Sequence, residues 1–137
     1  MKRILFPLLA MTLVLSGCRQ KGETEPAQLL LKIEKLYEQG QYRTVLDSIE
    51  SLRMRFPKAV GERKKALGLW QEASLKMAQA DIALTDSLLQ ATTAQMQAEP
   101  RIYERNMLGV KRDSLQARYE ALIGVVRMIR KRMEETK

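Results

Sequence analysis

Apolar residues recur at every third or fourth position through most of the chain after residue 26, which is the spacing of an amphipathic helix. Alternation with a period of two, the mark of a half-buried strand, is not sustained in any segment. Leu, Ala, Glu, Lys, Arg, Gln and Met dominate the composition, and these residues favour helix. The pattern therefore predicts an all-α chain.

Two short helices are predicted between residues 27 and 57. The first starts near Pro26 and ends at Gly40, which is expected to cap it with a positive φ. The second runs from about Tyr42 to Arg55, and Pro57 stops it. The apolar residues expected to face inward are Leu29, Leu30, Ile33, Leu36, Tyr37, Val45, Leu46, Ile49, Leu52 and Phe56.

Residues 58–137 are predicted to form a long antiparallel coiled-coil hairpin, with its turn somewhere in 98–110, where Pro100 interrupts the pattern. The earlier helix shows one heptad stripe, on which Trp70 is interpreted as a core anchor: Trp70, Met77, Leu84, Ala91 and Ala98. The last helix shows a clearer one: Leu108, Leu115, Leu122 and Ile129, with Tyr119, Val126 and Met133 beside them.

The N-terminal residues follow a different pattern. Met1-Lys2-Arg3 precedes an apolar segment from Ile4 to Leu15 that is too short to span a bilayer, as is typical of a secretory signal peptide over residues 1–17. Leu15-Ser16-Gly17-Cys18 then fits the lipobox at all four positions, so the chain resembles the bacterial lipoproteins. The resemblance implies that Cys18 becomes the mature N-terminus and carries acyl chains such as palmitate. An ordinary signal peptide followed by a chance cysteine is the alternative.

Residues 18–26 are polar and are predicted to be a tether between the lipid and the folded part. Position 19 is Arg, whereas Asp directly after the lipidated cysteine is the inner-membrane retention signal of enteric lipoproteins. The resemblance therefore implies an outer-membrane location. Lipoproteins displayed on the outside of some Bacteroidetes-type cells carry a compact acidic run after the cysteine. In residues 18–26 the only acidic residues are Glu23 and Glu25, which do not form such a run, so we expect the periplasmic face.

The segment Leu36-Tyr37-Glu38-Gln39-Gly40-Gln41-Tyr42 resembles the turn of a tetratricopeptide repeat. Gly40 and Tyr42 fit that turn and the aromatic residue after it, and Pro57 stands where the repeat ends. Val45 and Leu52 depart from the repeat, because they replace its usual alanines. The match covers one repeat, whereas stacking usually needs three or more, so a plain helical hairpin is the alternative.

The distribution of charged residues adds one candidate site, a basic cluster near the C-terminus. The chain carries a net charge of +8, and residues 101–137 hold ten Lys or Arg against five Asp or Glu. A cluster near the C-terminus is predicted to contact anionic glycan or lipid phosphate: Arg127, Arg130, Lys131 and Arg132. The interpretation preferred over ligand contact is that these cations complement the helix dipole and keep the coiled coil soluble. Nucleic acid is not expected in the predicted compartment.

The sequence offers little catalytic chemistry. Histidine is absent, and the single cysteine, Cys18, is expected to be blocked by lipid. We expect no enzymatic activity, no cofactor and no metal. The sequence instead predicts a lipid-anchored scaffold or adaptor that binds another envelope protein through Tyr37, Tyr42, Arg43 and Arg55. The alternative is a structural protein that self-associates through the coiled coil or contacts anionic cell-wall or lipid components.

Overall fold

The computed structural model describes residues 21–136. Four helices follow one another: α1 (Lys21–Glu38), α2 (Tyr42–Arg55), α3 (Val60–Ala98) and α4 (Ile102–Glu135). No strand occurs in this part of the chain. The predicted fold class is confirmed: a short helical hairpin precedes a long antiparallel one. The predicted signal peptide, Arg19 and the lipobox with Cys18 lie outside the described residues.

The first hairpin encloses the main core. Leu30 and Ile33 from α1, Val45, Ile49 and Leu52 from α2, and Ala66 and Ala73 from α3 are buried together. The remaining apolar residues predicted to face inward, among them Leu36 and Phe56, are partly buried against this cluster. Pro26 lies inside α1, which begins at Lys21, so residues 21–26 of the predicted tether are helical.

The turn between α1 and α2 has the predicted geometry. Gly40 has φ 72°, a left-handed conformation that glycine adopts without a steric penalty. The Gly40 N–H donates to the Tyr37 carbonyl over 2.9 Å, and the Gln41 N–H donates to the Leu36 carbonyl over 3.0 Å. These two bonds satisfy carbonyl groups that the end of α1 would otherwise leave unpaired.

The second hairpin pairs two helices of about 58 Å and about 51 Å. Its turn is Glu99–Arg101, within the predicted window, and the Arg101 guanidinium donates to the Glu99 carboxylate over 2.8 Å. The Gln71 amide and the Thr136 hydroxyl are hydrogen-bonded at the other end, over 3.3 Å. Counting heptads from this pair puts Ala78, Thr85 and Thr92 of α3 level with Ile129, Leu122 and Leu115 of α4.

The contact face of α4 is confirmed and that of α3 is not the predicted one. All seven residues of the predicted α4 stripe are half-buried. On α3 the buried heptad positions are Gln71, Ala78, Thr85 and Thr92, one residue after the predicted stripe, while Leu84 is 58 % exposed. The large side chains of α4 therefore pack on small side chains of α3. The larger residues of α3 lie beside this line of contact, which we call the seam.

α3 is the element to which the others are attached. α1 and α2 pack against its N-terminal part, and α4 packs along it from about Gln71 to the turn. Among the described residues, α4 packs on neither α1 nor α2, and α4 has no fully buried residue. The molecule is consequently thick at one end, which we call the base, and two helices wide at the other, which we call the tip.

The two glycines Gly40 and Gly68 should respond to substitution in opposite directions. Gly40→Ala should lower the free energy of unfolding by about 1–2 kcal/mol, because alanine is strained at a positive φ. Gly68 lies inside α3 with open space around its α-carbon, so Gly68→Ala should raise that energy by about 0.5–1 kcal/mol. Urea denaturation followed by circular dichroism measures both. Equal effects of the two substitutions would contradict this account of the turn.

Candidate functional site

Tyr37 and Tyr42, predicted as partner contacts, lie together at the α1–α2 turn. Their ring centroids are 5.6 Å apart with the planes tilted by 58°. Both rings are partly buried against the core. The Tyr37 hydroxyl donates to a carboxylate oxygen of Glu72 over 2.7 Å, which links α1 to α3. Part of the surface of each ring is therefore buried inside the molecule.

The Tyr37–Glu72 hydrogen bond changes the acidity of the phenol. Because Glu72 accepts a bond from the neutral hydroxyl, it disfavours loss of the proton, and partial burial acts in the same direction. Together they raise the pKa of Tyr37 from 10.0 to about 12. Such a phenol stays protonated at neutral pH, so it serves as a hydrogen-bond donor and not as a base.

The two arginines predicted beside these tyrosines are separated. Arg43 follows Tyr42, is exposed, and forms an ion pair with Asp47 over 3.8 Å. Arg55 lies at the opposite end of α2, about 20 Å along the helix. Its guanidinium lies over the Phe56 ring, 5.1 Å from the centroid. The structure therefore does not bring the four predicted partner contacts into one site.

The predicted basic cluster is also divided. Arg127, Arg130 and Lys131 line one side of the long hairpin, in a shallow cleft of about 510 Å³ with Gln79 and Ile82 of α3. Arg132 lies on another face of α4 and pairs with Glu135 over 3.7 Å. Three of the four cations thus share a surface.

One apolar surface is a groove that the sequence analysis did not indicate. It lies along α3 and is bordered by α2 and α4, whose backbones do not pack closely on each other, and its volume is about 730 Å³. We call it the α2–α4 groove. Its lining comprises Leu46 from α2; Leu67, Trp70, Gln71, Ser74, Met77, Ala78 and Asp81 from α3; Leu122, Val125, Met128, Ile129 and Arg132 from α4; and Thr136, the C-cap of α4.

Trp70 stands at one border of this groove. Its side chain was predicted to be a core anchor, but the residue is 37 % exposed. The Arg53 guanidinium lies 5.9 Å from the centroid of its ring, a cation–π distance. Trp70 also lines a second, more polar cleft on α2 with Arg43, Asp47 and Glu50. An aromatic surface at the junction of an apolar and a charged cleft can bind an amphipathic partner.

The chemistry of the α2–α4 groove is that of a binding surface. Val125 is 39 % and Met128 is 61 % exposed, and methionine adapts its shape to an apolar ligand. The polar side chains in its lining are few: Ser74, Asp81, Arg132 and the hydrogen-bonded Gln71–Thr136 pair. Val125 and Met128 are apolar residues outside the predicted α4 stripe, which was the available sequence signal for this surface.

Comparison with known proteins gives no significant match to this chain. No family model matches it, and neither a curated protein nor a solved structure is significantly similar to it. None of the helices α1–α4 has the length and hydropathy required to cross a membrane. Within residues 21–136, no group of acidic side chains is arranged to hold a metal ion.

Replacing Glu72 should restore an ordinary acidity to Tyr37. In the wild type the hydrogen bond stabilises the fold fully below pH 10.0 and is lost as the pH rises through about 12. Glu72→Gln should bring the pKa of Tyr37 down towards 10.0. Ultraviolet absorbance titration measures it, with Tyr37→Phe as the control that removes this phenol from the curve. An unchanged titration midpoint in Glu72→Gln would contradict the assignment.

Proposed function

We propose that this chain is a lipid-anchored envelope protein that acts as a helical scaffold for another protein. The lipobox Leu15-Ser16-Gly17-Cys18 supports the anchor, and Arg19 supports sorting to the outer membrane. The apolar α2–α4 groove supports the binding role. The α1–α2 hairpin, with Gly40 at its turn, supports a likeness to the tetratricopeptide repeat, which is part of this proposal.

The observation that carries the proposal is the exposed apolar lining of the α2–α4 groove. Contiguous apolar patches are uncommon on soluble monomers and often mark interaction sites. Here Trp70, Met77 and Met128 contribute to one such surface. Tryptophan is enriched among the residues that dominate binding energies at interfaces, and methionine lets a groove adapt to its occupant.

The shape of the groove favours an elongated occupant. Trp70, Met77 and Asp81 are spaced along α3, and Leu122, Val125 and Ile129 are spaced along the facing side of α4. The two rows run along helices that lie side by side, so the surface between them is longer than it is wide. An amphipathic helix that buries its apolar side fits this geometry.

Self-association is the second candidate function, and a different surface favours it. Tyr103, Met107 and Val110 are spaced four and three residues apart on α4 near the tip, so they share one helix face. They are 70 %, 52 % and 67 % exposed. The half-buried α4 residues that pack on α3 occupy other positions, so this face is available for a second copy of the chain.

The lipid anchor predicts acylation at one residue. Cells that express the chain and receive alkyne-tagged palmitate should label the wild type, and Cys18→Ser should abolish the label because no other cysteine is present. The mass of the N-terminal peptide of the wild type should show an acylated Cys18 as the first residue. A label that persists in Cys18→Ser would contradict the anchor.

The groove predicts position-dependent crosslinking in cells. A photo-reactive amino acid in place of Met128 should capture one dominant partner, whereas the same group at the exposed Gln116, outside the groove, should not. Adding Val125→Asp should reduce the adduct by roughly tenfold, since a charge at an apolar interface is costly to bury.

The same experiment separates the two candidate functions. Equal capture from positions 128 and 116 would contradict the groove as a binding site. Adducts between two copies of the chain from position 107, without a partner at 128, would favour self-association.

A further inference from the structure

The base of the molecule combines positive charge with exposed apolar side chains. The beginning of α1, the end of α2 and the start of α3 meet there, and Pro26, Arg55, Phe56, Val60 and Glu62 line one cleft between them. This surface is distinct from the α2–α4 groove, with which it shares no lining residue.

Positive charge dominates this end. Residues 55–65 contain five Lys or Arg and one acidic residue, Glu62. Among the residues whose side chains the structure describes, 25–136, none of the five cations has a carboxylate within 4 Å, that of the exposed Glu25 included. The five are Arg55, Lys58, Arg63, Lys64 and Lys65. Arg63 donates to the Pro57 carbonyl over 2.6 Å, which holds the loop but leaves the charge uncompensated. We call these five residues the basal cations.

Apolar side chains lie among the basal cations. Met54 is 69 % exposed and Val60 is 70 % exposed. Phe56 is half-buried beneath the guanidinium of Arg55. Cations beside exposed apolar groups are the combination found on surfaces that lie at a membrane interface, where the apolar groups enter the headgroup region and the cations meet phosphate.

The chain that precedes the described residues enters at this same end. Pro26 lines the cleft with Arg55 and Val60, and Cys18 is eight residues earlier. Eight residues span about 12 Å as a helix and at most about 28 Å when extended. An acyl chain on Cys18 would therefore hold the basal cations close to the lipid surface.

We propose that the basal cations dock the protein on an anionic phospholipid surface; this inference rests on the proposed lipid anchor.

The basic cluster on α4 that the sequence predicted lies further from that surface. Arg130 is level with Met77 of α3, which is about 25 Å from Val60 along the helix. Since salt screens charges over about 8–10 Å, Arg130 contributes little to docking when the hairpin stands upright. The tip then points away from the membrane.

The test uses the full-length acylated protein in vesicles that carry a spin-labelled, fluorescence-quenching lipid. Because Cys18 is blocked by acylation, Gly61→Cys provides a free thiol for a fluorophore at the base, where an added side chain meets no neighbouring atom and no basal cation is lost. Tyr103→Cys provides one at the tip. Lipid should quench the basal probe strongly in phosphatidylglycerol-containing vesicles and weakly in pure phosphatidylcholine, and should leave the tip probe unquenched in both.

Charge reversal then tests the basal cations themselves. The triple variant Arg55→Glu, Lys64→Glu and Lys65→Glu should reduce the docking equilibrium by roughly fivefold or more per residue, the effect of one Lys or Arg near an anionic surface. The matched control is Lys76→Glu, Lys111→Glu and Arg118→Glu, which has the same net charge and should dock like the wild type. Circular dichroism checks that both variants remain helical.

Three results would overturn the proposal: equal quenching at the base in both kinds of vesicle, equal docking of the two triple variants, or quenching at the tip as strong as at the base. The mass of the N-terminal peptide in the same sample separates the two proposals. Acylated protein that does not dock overturns this inference alone, and unacylated protein that leaves the vesicles overturns the anchor as well.

Discussion

The packing of small side chains on α3 is the constraint on which the rest of the molecule depends. Ala66 and Ala73 let the α1–α2 hairpin approach one side of this helix, and Ala78, Thr85 and Thr92 receive α4 on another. Larger residues at these positions would push one of the two neighbours away. Since among the described residues α4 packs only on α3, the long hairpin, its turn and the groove all depend on this one helix.

The helices were predictable because their signals are local. Gly40 and Pro57 end α1 and α2, and the heptad stripe of α4 identifies its contact face from α4 alone. The contact face of α3 was predicted one residue too early. α3 carries apolar residues on several sides because it serves two neighbours, and the largest of them, such as Trp70 and Leu84, do not occupy the seam. Which side faces which neighbour is tertiary information that residue spacing does not contain.

The candidate site was less predictable for a related reason. Tyr37 and Tyr42 were selected for their position at the turn, although Tyr37 was also predicted to face inward. The Tyr37 hydroxyl donates a hydrogen bond to Glu72 on α3, which holds the ring against that helix. Arg55 was assigned to the same site although one helix length separates it from the turn. The α2–α4 groove requires residues from three helices, and its existence depends on the absence of packing between α2 and α4. That absence follows from how the helices are arranged around α3.

The missing α2–α4 contact also divides the molecule into regions of different stability. The base contains the fully buried Ile33, Val45, Ile49 and Leu52, whereas α4 has no fully buried side chain, so α4 can detach at a lower cost than global unfolding. An occupant of the groove that contacted both Leu46 and Met128 would link α2 to α4. By linkage, its binding free energy would be added to the cost of detaching α4, so binding would stiffen the whole hairpin as far as its tip.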